Sequence, residues 1–187
     1  MNIAPYTTSE KIYIRWLYET DFANFKDLDR SETIRTAYKV QEGALVPYSV
    51  TWDVPSFDPD GYGDHSVNEQ IAFCRSHLER GGRMIGAFEC DLLVGVGLLT
   101  PEIRPGTAQL AYLHVSADYR RAGVATRILN ALLDWACHEG AQEIYVSSIP
   151  SESAVGFYIK AGFQPTMEPI DELVKLNPEY IHLVKRL

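Results

Sequence analysis

One stretch near the middle of the chain constrains the fold more than any other. Gln109–Val115 has the alternating pattern of a strand, and Gly123–Glu139 carries its apolar residues along one broad helical face. Gly140 is placed to end that helix, and Glu143–Ser148 is again strand-like. These elements form a β-α-β unit, which predicts a sheet with helices packed on its faces.

The remaining elements are predicted from periodicity and from capping residues. Strands are predicted at Lys11–Tyr18, Arg83–Glu89, Leu92–Thr100 and Tyr180–Lys185, with a short one around Phe163, and helices at Asp21–Ala37, Ser66–Arg80 and Ser151–Ala161. Asp21 is expected to cap the first helix, and Ser66 and Glu69 to form a capping box for the second. Gly43–Gly63 is rich in proline and glycine and is predicted to be a loop.

The composition is that of an ordinary globular protein, with 46% hydrophobic and 22% charged residues among 187. The net charge of −8 argues against binding to nucleic acid or an anionic membrane and suits a small cationic partner. No apolar run is long enough to span a membrane, and the first residues show no signal-peptide pattern. The three cysteines lack metal-ligand and redox spacing, so we expect reduced thiols, no metal and a cytoplasmic protein. A monomer and a homodimer are equally compatible with these patterns.

The residues Arg120–Ala125 connect the predicted strand to its helix. A helix N-terminus presents backbone N–H groups without intrahelical partners, together with the positive end of the helix dipole. Small residues at 122, 123 and 125 would let a phosphate approach these amides, and two arginines add positive charge. The segment therefore predicts a phosphate site, although an ordinary turn with two solvated arginines remains open.

A second informative segment, Ser151–Phe163, follows the strand Glu143–Ser148. Together the two segments resemble the GCN5-related N-acetyltransferase superfamily. The residues that match its acetyl-coenzyme A loop, Gln/Arg-x-x-Gly-x-Gly/Ala, are Arg120, Gly123 and Ala125, and those that match its second signature are Ala154, Phe157, Tyr158, Gly162 and Phe163. The leading Asn of that signature is replaced here by Ser151, which can still cap a helix but has a shorter reach.

The resemblance implies an α/β (α+β) fold with a mixed, mainly antiparallel sheet of six or seven strands and helices on both faces. It implies one N-acetyltransferase domain over 1–187, with an acceptor-side half at about 1–82 and a core that binds acetyl-CoA at about 83–165. Acetyl-CoA is then the cosubstrate. The residues expected to bind it are Leu113, His114, Val115, Arg120, Arg121, Ala122, Gly123, Val124, Ala125, Thr126, Ser151, Ser153 and Tyr158.

Acetyl transfer to an amine needs a group that accepts the amine proton and a group that protonates the departing thiolate. In the resembled family a tyrosine on the last helix protonates the thiolate, and Tyr158 stands at that position. His114 is a candidate base, because an ordinary histidine has a pKa of about 6.5. The alternatives are Gln109 orienting a water, Glu89, Glu102, or a water chain with no dedicated base.

The stretch Val40–Cys74 contains no lysine or arginine but several carboxylates and aromatic rings. Such a surface attracts ammonium groups, so the acceptor-binding candidates are Trp52, Asp58, Asp60 and Asp64. With the resemblance, this region predicts transfer to a primary amine of a small cationic molecule by direct attack in a ternary complex. A polyamine and an aminoglycoside-like or streptothricin-like antibiotic are the expected acceptors. For this region, a solvated acidic loop remains open as an alternative. For the function of the chain, the alternatives are a protein or peptide acetyltransferase and a non-catalytic coenzyme A sensor.

Overall fold

The computed structural model describes residues 11–58, 61, 63 and 65–187. The strands are β1 (Ile12–Leu17), β2 (Glu32–Gln41), β3 (Ala44–Val54), β4 (Arg83–Glu89), β5 (Leu92–Arg104), β6 (Thr107–Val115), β7 (Glu143–Ser148), β8 (Gln164–Pro165) and β9 (Ile181–Arg186). The α-helices are α1 (Val67–Leu78), α2 (Val124–His138), α3 (Glu152–Lys160) and α4 (Asp171–Leu176). Short 3-10 helices span Glu19–Asp27 and Ala117–Tyr119.

Seven strands form one sheet in the order β1-β4-β5-β6-β7-β9-β8, and β2 and β3 form a separate hairpin. Neighbours in the large sheet pair antiparallel except β6 and β7, which pair parallel. Helix α2 is the crossover between these two parallel strands, as the β-α-β pattern predicts. The predicted mixed, mainly antiparallel sheet is confirmed.

Helices cover both faces of the large sheet. Helices α2 and α3 pack on one face, where Ile128 and Leu132 are fully buried. Helix α1 and the first 3-10 helix pack on the other face through Cys74 and Phe25. The close approach of α2 depends on Gly97, because a Cβ there would overlap the side chains of Ile128 and Leu132. Burial of apolar surface, at about 25 cal/mol per Å², is the main stabilising contribution of this packing.

The helix predicted over Asp21–Ala37 is wrong beyond Asp27, because β2 occupies Glu32–Gln41. Asp21 is not the N-cap residue, since the 3-10 helix begins after Tyr18; the Asp21 carboxylate instead accepts the Tyr18 backbone N–H at 2.9 Å. Residues 33–36 include two threonines and an isoleucine, and β-branched side chains favour extended backbone. Pairing with β3 stabilises Glu32–Gln41 as a strand, although the sequence was predicted to be helical up to Ala37.

The loop predicted over Gly43–Gly63 is also wrong in part, because β3 fills Ala44–Val54. Glu42 and Gly43 have φ values of 51° and 79°, so both turn residues are left-handed, as a two-residue hairpin turn of this kind requires. Pro47 is tolerated within β3 because a two-stranded hairpin consists of edge strands alone.

The other predicted elements agree with the structure to within a few residues. Ser66 caps α1 by accepting the Glu69 N–H at 3.2 Å, and the two-residue strand β8 follows directly after Phe163. Helix α4, between β8 and β9, has no counterpart in the sequence prediction. In the described ranges no helix is long and apolar enough to cross a membrane, and the three cysteines are unpaired.

Candidate functional site

The candidate site is a cleft in the large sheet where its two parallel strands separate. Strands β6 and β7 pair only over 107–109 and 143–145, although they continue to Val115 and Ser148. The edge of β6 that faces the cleft has no partner strand above Gln109. An unpaired edge can bond the amides of an extended ligand, which suits the predicted contact of Leu113, His114 and Val115 with acetyl-CoA.

A bulge in β6 lies at the point where the two strands part. Leu98 of β5 faces Tyr112 and Leu99 faces Leu110, which leaves Ala111 without a counterpart. A bulge bends its strand and shifts the following side chains by one position. Tyr112 consequently packs with the cluster around α1, while Leu110 packs with the cluster around α2.

The loop after β6 carries a run of unpaired backbone amides. The N–H groups of residues 121–126 donate to no acceptor in the described part of the chain, and the α2 ladder begins with Arg127 donating to the Gly123 carbonyl at 3.1 Å. Arg121 and Gly123 have φ values of 62° and 79°, and such left-handed turns gather successive amides into an anion-binding nest. A Cβ on Gly123 would meet nothing within 4 Å, so the space before it is open.

The side chains of this loop divide between the core and the solvent. Val124 is buried, whereas Arg121, Ala122, Gly123 and Thr126 are exposed around the unpaired amides. The amides lie at the positive end of α2, which is 15 residues long. The arrangement is suited to a diphosphate group.

The Arg120 side chain is bonded to the protein itself. Its Nε donates to the Val115 carbonyl at 3.1 Å, and its two terminal nitrogens donate to the Ser31 and Arg30 carbonyls, each at 3.1 Å. The Glu32 carboxylate lies 3.4 Å from the same guanidinium. Arg120 therefore fixes the loop against the segment that leads into β2. Its predicted contact with acetyl-CoA stays a prediction.

Ser151 caps α3, as its position in the second signature predicts. It is fully buried, and its Oγ accepts the Ala154 N–H at 3.3 Å and lies 3.1 Å from the Ser153 Oγ. An isolated bridge joins Ser151 to Ala37 of β2, and the Tyr38 N–H donates to the Pro150 carbonyl at 2.8 Å. The β2–β3 hairpin is thus attached to the loop at the end of β7.

Tyr158 lies on α3, on the face of the sheet covered by α2. Its ring contacts Phe157 and Phe163, each with a centroid separation of 5.4 Å, and the residue is 7% exposed. Its hydroxyl makes no hydrogen bond with the described residues. Burial raises the pKa of Tyr158 above its ordinary value, so the phenol keeps its proton at neutral pH. The sequence favours Phe157 as the core aromatic, but in the structure Tyr158 is the more buried of the two.

The opposite face of the cleft carries four buried polar atoms that have no hydrogen-bond partner in the described chain. These atoms, which we call the polar quartet, are the Tyr112 hydroxyl, His114 Nε2, Ser147 Oγ and His182 Nε2. Tyr112 and His114 are on β6, Ser147 is on β7, and His182 faces Ser147 from β9. Their strand neighbours, such as Val146, pack with α2 and α3, so alternation places the quartet on the α1 face. Buried polar groups are nearly always bonded, so the neighbouring Tyr112 and His114, whose ring centroids are 6.3 Å apart, mark a polar spot on this face of the cleft.

His114 is in a neutral state with a defined tautomer. Its ring hydrogen-bonds to the Asp29 backbone, and because Nε2 is unpartnered, Nδ1 makes this bond. In the neutral ring Nε2 then carries the free lone pair. Burial, followed by the charge of Arg120, lowers the pKa of His114 to about 4. Leu113 and Val115 pack with the cluster around α2, whereas the His114 ring lies 6.3 Å from that of Tyr112, so His114 is on the opposite face of β6, as predicted.

The alternative bases lie in different surroundings. Glu89 accepts the Tyr119 hydroxyl at 2.7 Å. Glu102 lies by the turn between β5 and β6, at the opposite end of β6 from His114. Gln109 is buried in the last pair before the strands part, opposite Tyr145.

The predicted acceptor-binding residues are placed only in part. Trp52 is on β3 and 37% exposed, and Asp58 bridges to Ser66 at the start of α1. Asp60 and Asp64 lie outside the described residues. The ring of Phe57, adjacent to Asp58 in sequence, lies 5.7 Å from that of His114, which brings this segment beside His114.

The sequence patterns did not single out three members of the quartet, namely Tyr112, Ser147 and His182. The available signal was the position of these residues between apolar neighbours such as Leu113, Val146 and Ile181. That signal marks a polar face but does not say which strands share it.

Comparison with known proteins places the chain in a family. The model of the acetyltransferase (GNAT) family matches residues 38–163, which is more than half of the chain. A curated relative, N-alpha-acetyltransferase 30 of Schizosaccharomyces pombe, is 32% identical over 81 residues. That match covers 41% of this chain and 54% of the relative, about half of its length. The chain belongs to the acetyltransferase (GNAT) family, and the resemblance predicted from its two segments is confirmed.

Solved structures share the fold over nearly the whole chain. Nourseothricin acetyltransferase has a TM-score of 0.69 and 14% identity, with 94% of this chain and 98% of that chain covered. A protein from Bacillus anthracis assigned as a streptothricin acetyltransferase, solved with acetyl coenzyme A, has a TM-score of 0.67 and 21% identity over 94% and 98%. The PaiA N-acetyltransferase of Thermoplasma acidophilum, solved with coenzyme A, has a TM-score of 0.61 and 17% identity over 94% and 99%.

Proposed function

We propose that the protein transfers the acetyl group of acetyl-CoA to a primary amine of a small cationic molecule, by direct attack in a ternary complex. The observation that carries the proposal is the run of unpaired amides at 121–126, located at the mouth of the cleft between β6 and β7. A nest for a diphosphate next to a free strand edge suits a ligand in which a diphosphate is joined to an extended arm with amide groups. Acetyl-CoA has this chemistry.

The residues that would hold acetyl-CoA follow from the same geometry. The amides of 121–126 would bind its diphosphate, the exposed Arg121 would add a cation, and the edge of β6 from Leu113 to Val115 would bond its arm. When bound, acetyl-CoA supplies a thioester carbonyl to be attacked and a thiolate that leaves. Tyr158, whose phenol stays protonated, would donate a proton to that sulfur.

The unbonded Nε2 of His114 supports an acceptor site on the other face of the cleft. An alkylammonium group has a pKa of about 10.4 and is no nucleophile until it loses a proton. The ammonium would first release one proton to solvent to give the free amine. The lone pair of His114 Nε2 would then accept a hydrogen bond from that amine and take a second proton as the new N–C bond forms and the thiolate leaves. Since the pKa of His114 is about 4, the residue passes that proton on to solvent rather than keeping it.

The charge of the chain supports a cationic acceptor. The net charge is −8, and Val40–Cys74, which contributes Phe57 beside His114, has no lysine or arginine. An acidic surface raises the local concentration of cations. Because His114 and its neighbours are neutral, the bound amine does not have to form a buried ion pair. The similar structures include proteins named as nourseothricin and streptothricin acetyltransferases, which fits a small antibiotic-like acceptor.

The second candidate acceptor is the α-amine of a peptide, favoured by the similarity to N-alpha-acetyltransferase 30. The β2–β3 hairpin is bonded to the loop after β7 at Pro150 and Ser151, and we expect it to limit the space for a main chain there. A sensor without activity would have no need for a buried phenol at Tyr158.

A panel of amines tests the proposal. Thiol release from acetyl-CoA is measured with spermidine, an aminoglycoside, a streptothricin, a tetrapeptide with a free amino terminus, a neutral amine and an acidic amine. We expect at least one small cationic amine to give a kcat/KM about tenfold or more above that of the peptide. Faster turnover of the peptide or the acidic amine contradicts the proposed acceptor. Binding of acetyl-CoA without turnover of any amine favours the sensor.

A further inference from the structure

Asp29 lies between the first 3-10 helix and β2, and its backbone is bonded to the segment that follows β6. Its N–H donates to the Ser116 Oγ at 3.1 Å, and its carbonyl accepts the Ala117 N–H at 3.0 Å. The ring of His114 bonds to the same backbone. Because this bond by itself favours a proton on the ring, the Asp29 carbonyl is the acceptor and the imidazole N–H is the donor. The Asp29 carbonyl therefore holds the residue proposed as the base.

The carboxylate of Asp29 closes a tight turn with the backbone that follows it. Its Oδ1 accepts the Ser31 N–H at 2.9 Å, and its Oδ2 accepts the Ser31 hydroxyl at 2.8 Å. A bond from an aspartate to the N–H two residues later forms an Asx turn, which fixes the backbone between the two residues. The bond from the Ser31 N–H keeps the pKa of Asp29 below its ordinary value, so the carboxylate is ionised at neutral pH. The turn therefore sets the direction in which the Asp29 carbonyl points.

The turn at 29–31 contacts the candidate site on two sides. On the side of the anion-binding loop, the carbonyls of residues 30 and 31 accept the Arg120 guanidinium, each at 3.1 Å. On the other side, the Ser56 hydroxyl donates to Asp29 Oδ1 at 2.9 Å, and Ser56 belongs to the acidic segment beside His114. One turn thus connects the anion-binding loop, the proposed base and the segment proposed to attract the amine.

We propose that Asp29 is a positioning residue, whose carboxylate holds the turn that directs the lone pair of His114 Nε2 to the acceptor amine. The inference rests on the proposed function and deepens it, because it names the residue that aligns the base. A neutral imidazole can carry its proton on either nitrogen, and only the form with the proton on Nδ1 leaves Nε2 free to take one from the amine. The bond from His114 to the Asp29 carbonyl selects that form.

The positioning role depends on the shape of the Asp29 side chain and not on its charge. Asparagine has the same length, and its amide oxygen can accept the Ser31 N–H, so Asp29→Asn should keep the turn. Glutamate keeps the charge, but its extra methylene moves the carboxylate away from the Ser31 N–H, so Asp29→Glu should lose the turn. The imidazole of His114 is then free to exchange its proton between the two nitrogens. We expect kcat to fall about tenfold in that variant.

The two variants test the inference when turnover of the best amine of the panel is measured beside the melting temperature. Asp29→Asn should keep most of the wild-type kcat, and Asp29→Glu should lose about tenfold. Asp21→Glu is the matched control. The Asp21 carboxylate also accepts a backbone N–H, that of Tyr18 at 2.9 Å, together with the Arg15 guanidinium, and neither partner belongs to the candidate site. Asp21→Glu should lose as much stability as Asp29→Glu but keep its kcat.

Nitrogen NMR of the histidine side chains gives a readout that does not depend on turnover. It should show the His114 proton on Nδ1 in wild-type protein and in Asp29→Asn, and on both nitrogens in Asp29→Glu. An equal loss of kcat in Asp29→Asn and Asp29→Glu, or an unchanged His114 tautomer in Asp29→Glu, overturns the inference while leaving the proposed function intact. A proton on Nε2 of His114 in wild-type protein also overturns it. If no amine is acetylated and yet the NMR result holds, the proposed function fails and not the positioning of His114 by Asp29.

Discussion

The guanidinium Nε of Arg120 donates to the carbonyl of Val115 at 3.1 Å, which joins the start of the anion-binding loop to the end of β6. The same side chain reaches the Ser31 and Arg30 carbonyls, so three segments meet at one group. The adjacent Arg121 is exposed and forms no ion pair within the described chain. Arg120 therefore holds the loop, and Arg121 is the arginine that we propose to face the ligand.

Arg120→Gln and Arg121→Gln should separate these tasks. Loss of the Arg120 bonds should destabilise the protein by about 2 kcal/mol, because bonds from a charged group to half-buried carbonyls are costly to remove. Arg121→Gln should leave the melting temperature unchanged but weaken acetyl-CoA binding a few-fold, with less effect at high salt. Thermal denaturation and calorimetric titration measure both. The assignment fails if Arg121→Gln destabilises the protein as much as Arg120→Gln does.

Gly123→Ala should weaken acetyl-CoA binding by roughly tenfold or more. Gly123 has a φ of 79°, where a Cβ costs about 1 kcal/mol, and relaxation of that strain would turn the unpaired amides away from their common side. Gly140→Ala is a matched control, because Gly140 has a φ of 87°, follows α2 at its other end and also has open space at Cβ. The two variants should lose similar stability. Equal loss of binding in both contradicts the role of the loop amides.

Tyr158→Phe should lower kcat by about 100-fold, the effect expected for a lost general acid. The melting temperature should barely change, because the hydroxyl forms no hydrogen bond within the described residues. The loss should be largest at low pH and smaller above the ordinary thiol pKa of about 8.5, where the thiolate leaves without help. Tyr119→Phe, which removes a hydroxyl bonded to Glu89, is the control and should retain full kcat. Unchanged kcat in Tyr158→Phe across the pH range removes this residue from the mechanism.

Stability should fall as the pH drops from about 6.5 to 4. The pKa values of His77 and His114 are both lowered to about 4, mainly by burial. Between pH 6.5 and 4 the unfolded chain binds protons that the folded chain does not. The free energy of unfolding therefore keeps its full value above pH 6.5 and declines below it. For His114 the slope is at most about 1.4 kcal/mol per pH unit. Denaturation midpoints across this range measure it.

His114→Gln should flatten that slope, and His138→Gln, at an exposed position, should not. A stability that is constant from pH 7 to 4 would mean that His114 is not buried in a neutral form. The lowered pKa values of Asp21 and Asp29 act only below the ordinary carboxyl pKa of about 4, so they do not contribute to this range.

The parts of the fold that could be predicted from sequence are those determined by local pattern. Helix α2 has an apolar face, a left-handed glycine before it and another after it, and these features decide the element without tertiary contacts. Strands β2 and β3 are different, because each is stable through pairing with the other. A helix-like spacing around Phe22 and Phe25 therefore extended the prediction into residues that are strand.

The same division holds for the site. The loop amides were predictable since they follow from a strand, a glycine turn and a helix in sequence. The polar quartet was not, because its members come from β6, β7 and β9. The bulge at Ala111 also changes the face of Tyr112: uninterrupted alternation from Ala108 and Leu110 would place Tyr112 against α2.

Product analysis with isotope-labelled acetyl-CoA tests the central claim most directly. The protein is mixed with labelled acetyl-CoA and the best amine of the panel, and the labelled amide is measured by mass spectrometry beside the released thiol. The account predicts equal amounts of labelled amide and thiol, both reduced in Gly123→Ala and Tyr158→Phe. Thiol release without amide, or no loss of acetyl-CoA with any amine of the panel, would contradict it.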